Sequence, residues 1–123
     1  MAYTFKNIKV WQRAHSLVLE IYKVTKTFPK NEQYGLSAQV RRSASSIATN
    51  IVEGYKRRSR KEFNHFLNIA DSSLEETKYH LLLSLELFYL SRQDYEKLSV
   101  LSDEVGRMLA GFQKSLKLTT YNL

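Results

Sequence analysis

Residues 41–61, RRSASSIATNIVEGYKRRSRK, bring together the side chains best suited to bind phosphate. Lys56, Arg57, Arg58, Arg60 and Lys61 are five cations within six positions, and Arg41 and Arg42 precede them. Between residues 37 and 61 there are seven Lys/Arg and a single acid, Glu53, in a chain whose net charge is +7. Cations clustered this way attract polyanions, and contacts to a phosphate backbone need only charge and reach. The competing reading is a solvated basic turn whose arginines pair with Glu32, Glu53 or Glu62. Base readout is not encoded: there is no zinc-finger spacing and no strand bearing aromatics for RNA.

Tyr55, Phe63 and Phe66 flank the cations and could stack on exposed bases. Phe63 and Phe66 fall on or beside an apolar stripe and are better explained as packing. Tyr55 stays a candidate. Other chemistry is thinly represented. His15, His65 and His80 lie on separate segments, without the H-E-x-x-H or E-x-x-H spacing that builds metal sites in helical proteins. Glu75 and Glu76 are adjacent and point in different directions. Ser43, Ser45, Ser46 and Thr49 have no histidine at catalytic spacing; small residues there permit close helix packing. Glu53, near a helix C-terminus, is better placed to hold Arg41, Arg57 or a neighbouring subunit than to act as a base. A non-enzymatic protein without cofactor or metal is expected.

These residues must be positioned by helices. Val10, Ala14, Leu17, Ile21, Val24 and Phe28 step by four and three, the period of one helix face, and the expected helix covers about residues 7–27. Pro29 stops it. A second helix, about residues 34–54, starts between Asn31 and Ser37 and carries Val40, Ala44, Ile47 and Ile51; Gly54 is the expected stop. Ser59 and Glu62 form an S-x-x-E capping box for a third helix over about 59–90. Its stripe is Phe63, Leu67, Ala70, Leu74, Thr77, Leu81, Leu85 and Phe88, widened by Leu82, Leu83, Leu87 and Leu90. A fourth, about 92–117, begins after Ser91 with Tyr95, Leu98, Leu101, Val105, Met108, Phe112 and Leu116 on its face. Gly106 and Gly111 mark weak points or a close neighbour.

Four such helices with short connections make an all-α, antiparallel up-down bundle in one domain. One proline and four glycines are too few for an all-β chain, and no cysteine is present. No apolar run is long enough to span a bilayer, no signal-peptide core is visible, and no exposed apolar face adjoins the basic turn, so a cytoplasmic location without membrane binding is expected. The apolar excess of the third helix points to burial between subunits of a homo-oligomer.

Several strings resemble a known family. They are Val10-Trp11-Gln12-x-Ala14, Thr27-Phe28-Pro29, Tyr34-Gly35-Leu36, Gln39-x-Arg41-Arg42-x-Ala44-x-Ser46-Ile47, and Asn50-Ile51-x-Glu53-Gly54. Further along, Glu62-Phe63, Phe66-Leu67-x-Ile69-Ala70, Ser73-Leu74-x-Glu76 and Leu90-x-x-x-x-Tyr95 continue the match over about residues 5–118. Together they resemble the small bacterial four-helix-bundle family named for reading frames within intervening sequences of 23S ribosomal RNA. That resemblance implies a left-handed bundle assembled as a ring, typically a homopentamer, and relatedness to accessory subunits of diversity-generating retroelements, which bind nucleic acid and a reverse transcriptase. Carried over by position, Arg41, Arg42, Asn50 and Glu53 match the family's polar signature, and Arg57, Arg58, Arg60 and Lys61 its basic turn. Phe88 departs from the pattern, standing where many members have glycine. The expectation is an oligomer that binds RNA or DNA without sequence preference through Arg41, Arg42, Lys56, Arg57, Arg58, Arg60 and Lys61. Asn50, Glu53 and Tyr55 would then make polar or subunit contacts. The alternative is a ring that scaffolds a protein partner and binds no nucleic acid.

Overall fold

The period-3.6 stripes become four long helices in the computed structural model, which describes the backbone of residues 3–121 and the side chains of residues 3–117. A 3-10 turn at Phe5–Asn7, closed by a capping box between Thr4 and Asn7, leads into α1 (Lys9–Thr25). A second 3-10 turn at Lys30–Glu32 precedes α2 (Leu36–Tyr55); α3 (Arg60–Glu86) and α4 (Arg92–Tyr121) complete the chain. Among the described residues there is no strand.

Each helix packs on two neighbours, α1 on α2, α2 on α3, α3 on α4 and α4 on α1, and among the described residues the backbones of neither diagonal pair approach closely. Directions follow from side-chain partners. Arg13 near the start of α1 pairs with Glu104 on α4, and Glu20 further along α1 meets Lys97, earlier on α4, at 3.3 Å. Ser43 faces His80 while Ser46 faces Ser73, so α2 and α3 run oppositely. Lys78 reaches Asp103 at 3.3 Å, and Gln113 reaches Asn64 at 3.0 Å, which fixes the same relation for α3 and α4. This is an antiparallel up-down bundle.

Its core follows the predicted stripes, joined by Leu109, which the expected face of the fourth helix left out. Leu17, Ile21, Ile47, Ile51, Leu67, Leu74, Leu81, Leu98, Val105 and Leu109 are fully buried, each burial of a large aliphatic side chain being worth about 1.5–3 kcal/mol against exposure. Ser59 accepts the Glu62 backbone N–H and Ser91 that of Asp94, so both serine caps form, while the return bond from the Glu62 carboxylate to the Ser59 N–H that would complete the expected box is not made.

Three helix ends differ from expectation. α2 is not capped by Asn31 or Ser37: Gly35 takes the cap position, and the Glu32 carboxylate accepts the Leu36 N–H at 3.1 Å. Gly54 lies inside α2 rather than ending it, and no described glycine has a positive φ. α3 stops at Glu86, and Phe88 leaves the stripe, with φ 66° and its side chain 93% exposed. The residue after it turns back inward. Tyr89 packs on Phe28 with ring centroids 5.7 Å apart and donates its hydroxyl to Glu32 at 2.9 Å. That hydrogen bond to a carboxylate holds the Tyr89 phenol above its ordinary pKa of 10. It also ties the α1–α2 connection to the α3–α4 connection at one end of the bundle.

Candidate nucleic-acid interface

The opposite end carries the basic turn. α2 and α3 approach so closely there that a Cβ on Gly54 would lie 2.8 Å from Cδ1 of Phe63 and 3.0 Å from Cβ of Phe66. Absence of a side chain at residue 54 lets the start of α3 fold back onto the end of α2. The chain reverses across Lys56–Ser59, and Lys56, Arg57, Arg58, Arg60 and Lys61 all emerge exposed. Arg57 is the anchored member. Its guanidinium lies 4.5 Å from the centroid of the Phe66 ring and 3.6 Å from the Glu53 carboxylate one turn back. A cation over an aromatic face and beside a carboxylate is held in place while still half exposed. Among the described residues no carboxylate comes within salt-bridge distance of Lys56, Arg58, Arg60 or Lys61. Arg57, Ser59, Lys61, Glu62, His65 and Phe66 line an open depression beside the turn.

The two groups of cations, Arg41 with Arg42 and the 56–61 cluster, stand apart within a protomer. Arg41 and Arg42 lie on α2, 15 and 14 residues before Lys56, the first of the cluster, which is roughly 20 Å along a helix. Arg42 is exposed, whereas Arg41 is half-buried and already engaged. Its Nε donates to the Thr25 hydroxyl at 2.7 Å, and its guanidinium sits 4.7 Å from the Tyr22 centroid. Thr25 in turn donates to the Ile21 carbonyl. Arg41 therefore staples α2 to the end of α1.

Asn50 faces α3 near a row of small polar residues. Its amide donates to the Ser46 carbonyl at 2.8 Å and to Ser46 Oγ at 3.0 Å, and that hydroxyl is 2.9 Å from Ser73 Oγ. Tyr55 is half-buried and donates to the Tyr3 carbonyl at 3.1 Å, holding the N-terminal segment against the end of α2. Phe63 packs on Phe112 with centroids 5.4 Å apart, which is the packing role expected of it.

One arrangement escaped the linear reading. His80 Nδ1 lies 3.4 Å from Ser43 Oγ, and its Nε2 lies 3.9 Å from the Glu76 carboxylate. The Thr77 hydroxyl is within hydrogen-bond distance of both the Ser73 carbonyl (2.8 Å) and Ser43 Oγ (2.9 Å). Ser43, Ser73, Thr77 and Ser84 are buried along this seam, so its polar atoms satisfy one another between closely packed helices. Its signal was the three- and four-residue spacing of Ser43, Ser46 and Asn50 against Ser73, Thr77 and His80; which residue faces which depends on the register of the helix pair. Ser43 Oγ also contacts the Val40 carbonyl at 3.2 Å, and burial closes it to a substrate. No cluster of three or more His, Asp or Glu side chains able to hold a metal occurs among the described residues. None of the described helices is long and apolar enough to cross a membrane.

Comparison with known proteins agrees with this architecture. No curated protein matches the chain. A solved structure, a protein of unknown function from the S23 ribosomal protein family of Bacteroides thetaiotaomicron, superposes with a TM-score of 0.79 at 30% identity, over 85% of this chain and 98% of that one. The sequence model of the 23S rRNA-intervening sequence protein family matches residues 6–111. With the four-helix architecture and most of its length accounted for, the chain belongs to the 23S rRNA-intervening sequence protein family.

Proposed function

We propose that this protein is a non-enzymatic, oligomeric helical bundle that binds RNA or DNA without sequence preference, as an accessory to a larger nucleic-acid-processing assembly. The observation that carries the reading is the exposed cluster of Lys56, Arg58, Arg60 and Lys61, unpaired with carboxylates among the described residues, beside an Arg57 fixed by Phe66 and Glu53. Cations already paired would have to give up their partners to bind phosphate; these do not. Arg42 is exposed and available as a second contact, and Arg41 contributes by holding α2 in place.

A homo-oligomer, a pentameric ring by family resemblance, is supported by large apolar side chains left on the outer faces. On α1 these are Leu19 and Tyr22, and on α3 Ile69, Tyr79 and Leu82, with exposures from 38% to 59%. Assembly through these faces would take that apolar area out of water. The same side chains favour the second reading, a ring that scaffolds a protein partner.

Binding of short RNA and DNA across a salt series separates the two. The wild-type protein is expected to lose affinity steeply with salt, and a variant neutralised at Arg57, Arg58, Arg60 and Lys61 to show a slope flatter by about two to four units. A folded oligomer that binds neither nucleic acid at low salt would leave only the scaffold reading.

A further inference from the structure

The topology brings more positive charge to the basic turn than its own segment carries. The N-terminal 3-10 turn packs on α2 and is tied to Tyr55 through the Tyr3 carbonyl, so Lys6 and Lys9 stand at the same end of the bundle. α4 returns there too. Phe112 packs on Phe63, and Gln113 donates to Asn64 at 3.0 Å and Asn68 at 2.7 Å. Lys114 follows directly and Lys117 one turn later, both exposed.

Charge is therefore divided between the two ends. The stretches meeting at the basic end, residues 3–9, 53–64 and 112–117, contain nine Lys/Arg and two Glu, one of which, Glu53, already faces Arg57. The stretches meeting at the other end, residues 20–36 and 84–97, contain five Lys/Arg and five Asp/Glu. The net +7 of the chain thus has the same value as the net charge of one end.

We propose that this whole end, built from Lys6 and Lys9, the 56–61 turn, and Lys114 and Lys117, is a single docking face for duplex nucleic acid. The inference rests on the nucleic-acid reading above and adds both the extent of the surface and the form of the ligand. Its cations are spread over the ends of all four helices rather than along one groove. Helix axes in contact stand about 8–10 Å apart, comparable with phosphate strands facing each other across grooves about 6–12 Å wide. A single strand asks for something else, a file of open rings on which successive bases stack. The rings here are occupied: Tyr55 is half-buried against Tyr3, Phe63 meets Phe112, and Phe66 lies under Arg57 with the His65 ring at its edge. Tyr3, 63% exposed, and the exposed His65 are the open rings among the described residues of this end, too few for such a file.

The test is fluorescence anisotropy with a short duplex and with its separated strand, across a salt series. Wild type is compared with K6A/K9A, K114A/K117A and the neutralised 57–61 variant. The duplex should bind more tightly than the strand, and each lysine-pair variant should flatten the log–log salt slope by about one to two units. The charge-retaining K6R/K9R and K114R/K117R proteins should restore it, which separates lost charge from disturbed folding. Lysine-pair variants with an unchanged slope, beside a 57–61 variant that no longer binds, would overturn the extended face and leave the nucleic-acid reading intact. A strand bound as tightly as the duplex would overturn the choice of ligand. No binding of either probe by the wild type would overturn both readings.

Discussion

Phe88 sits in a backbone conformation that a bulky side chain disfavours. With φ at 66°, it occupies the left-handed position of a helix-ending motif in which its N–H donates to Leu85 O and that of Tyr89 to Ser84 O. Glycine normally fills such a position, and a side chain there costs about 1–2 kcal/mol. At 93% exposure the Phe88 ring has almost no packing to offset that strain. Phe88→Gly is therefore expected to stabilise the fold by about 1 kcal/mol, raising the midpoint of thermal unfolding followed by circular dichroism. A lowered midpoint would show that the ring packs on something in the assembled protein. Part of this was visible in the chain, since the resemblance expects glycine at this position. The helical period alone placed Phe88 on the buried stripe, because periodicity continues past a helix end until a backbone reversal interrupts it.

Between α2 and α3 the decisive feature is a missing side chain. Gly54 reads in sequence as a helix stop, the commonest role of glycine near a helix C-terminus. The structure gives it another task, admitting Phe63 and Phe66 where a Cβ would lie within about 3 Å of both. Gly54→Ala is expected to destabilise the protein by about 1–3 kcal/mol, in line with overpacking of a tight contact, despite alanine's better helix propensity. Chemical denaturation would measure it, and an unchanged or higher stability would mean that α3 shifts without cost. The four stripes and both serine caps were legible because each depends on residues within one or two turns. Cross-helix partners were not: Arg41 with Thr25, and Ser43 with His80, depend on how one helix slides along another. α2 starts at Leu36, inside the expected interval, but the side chain that caps it was not legible. Its cap comes from Glu32, outside the cap position itself, so the usual Ser, Asn or Asp signal is absent.

Across the molecule, the two ends of the bundle differ in kind. One collects cations from the N-terminal turn, the α2–α3 junction and the last described turns of α4, whereas the other balances its charges and interlocks its two connections through Phe28, Tyr89 and Glu32. The central cluster of the basic end was legible as a run of letters. Lys6, Lys9, Lys114 and Lys117 were not part of that candidate, since only the up-down topology brings the first 3-10 turn and residues 112–117 of α4 to one place. Binding through such a face would leave the sides of the helices free, so nucleic-acid binding and assembly through Leu19, Tyr22, Ile69 and Tyr79 need not compete.

The close α2–α3 junction also bears on how the chain folds. Two long helices joined across Lys56–Ser59 make contacts between residues near in sequence, and such local contacts form early. Closing that hairpin compresses five like charges into a short reversal. Their repulsion is screened over about 10 Å at 0.1 M salt, so refolding should speed up with ionic strength in stopped-flow measurements. Neutralising Arg58 and Arg60 should make refolding faster at low salt and less responsive to added salt; an unaltered salt response would place the slow step elsewhere in the bundle. A surface proposed to bind phosphate would then act as a brake on the formation of its own scaffold, released by any counterion that reaches the turn first.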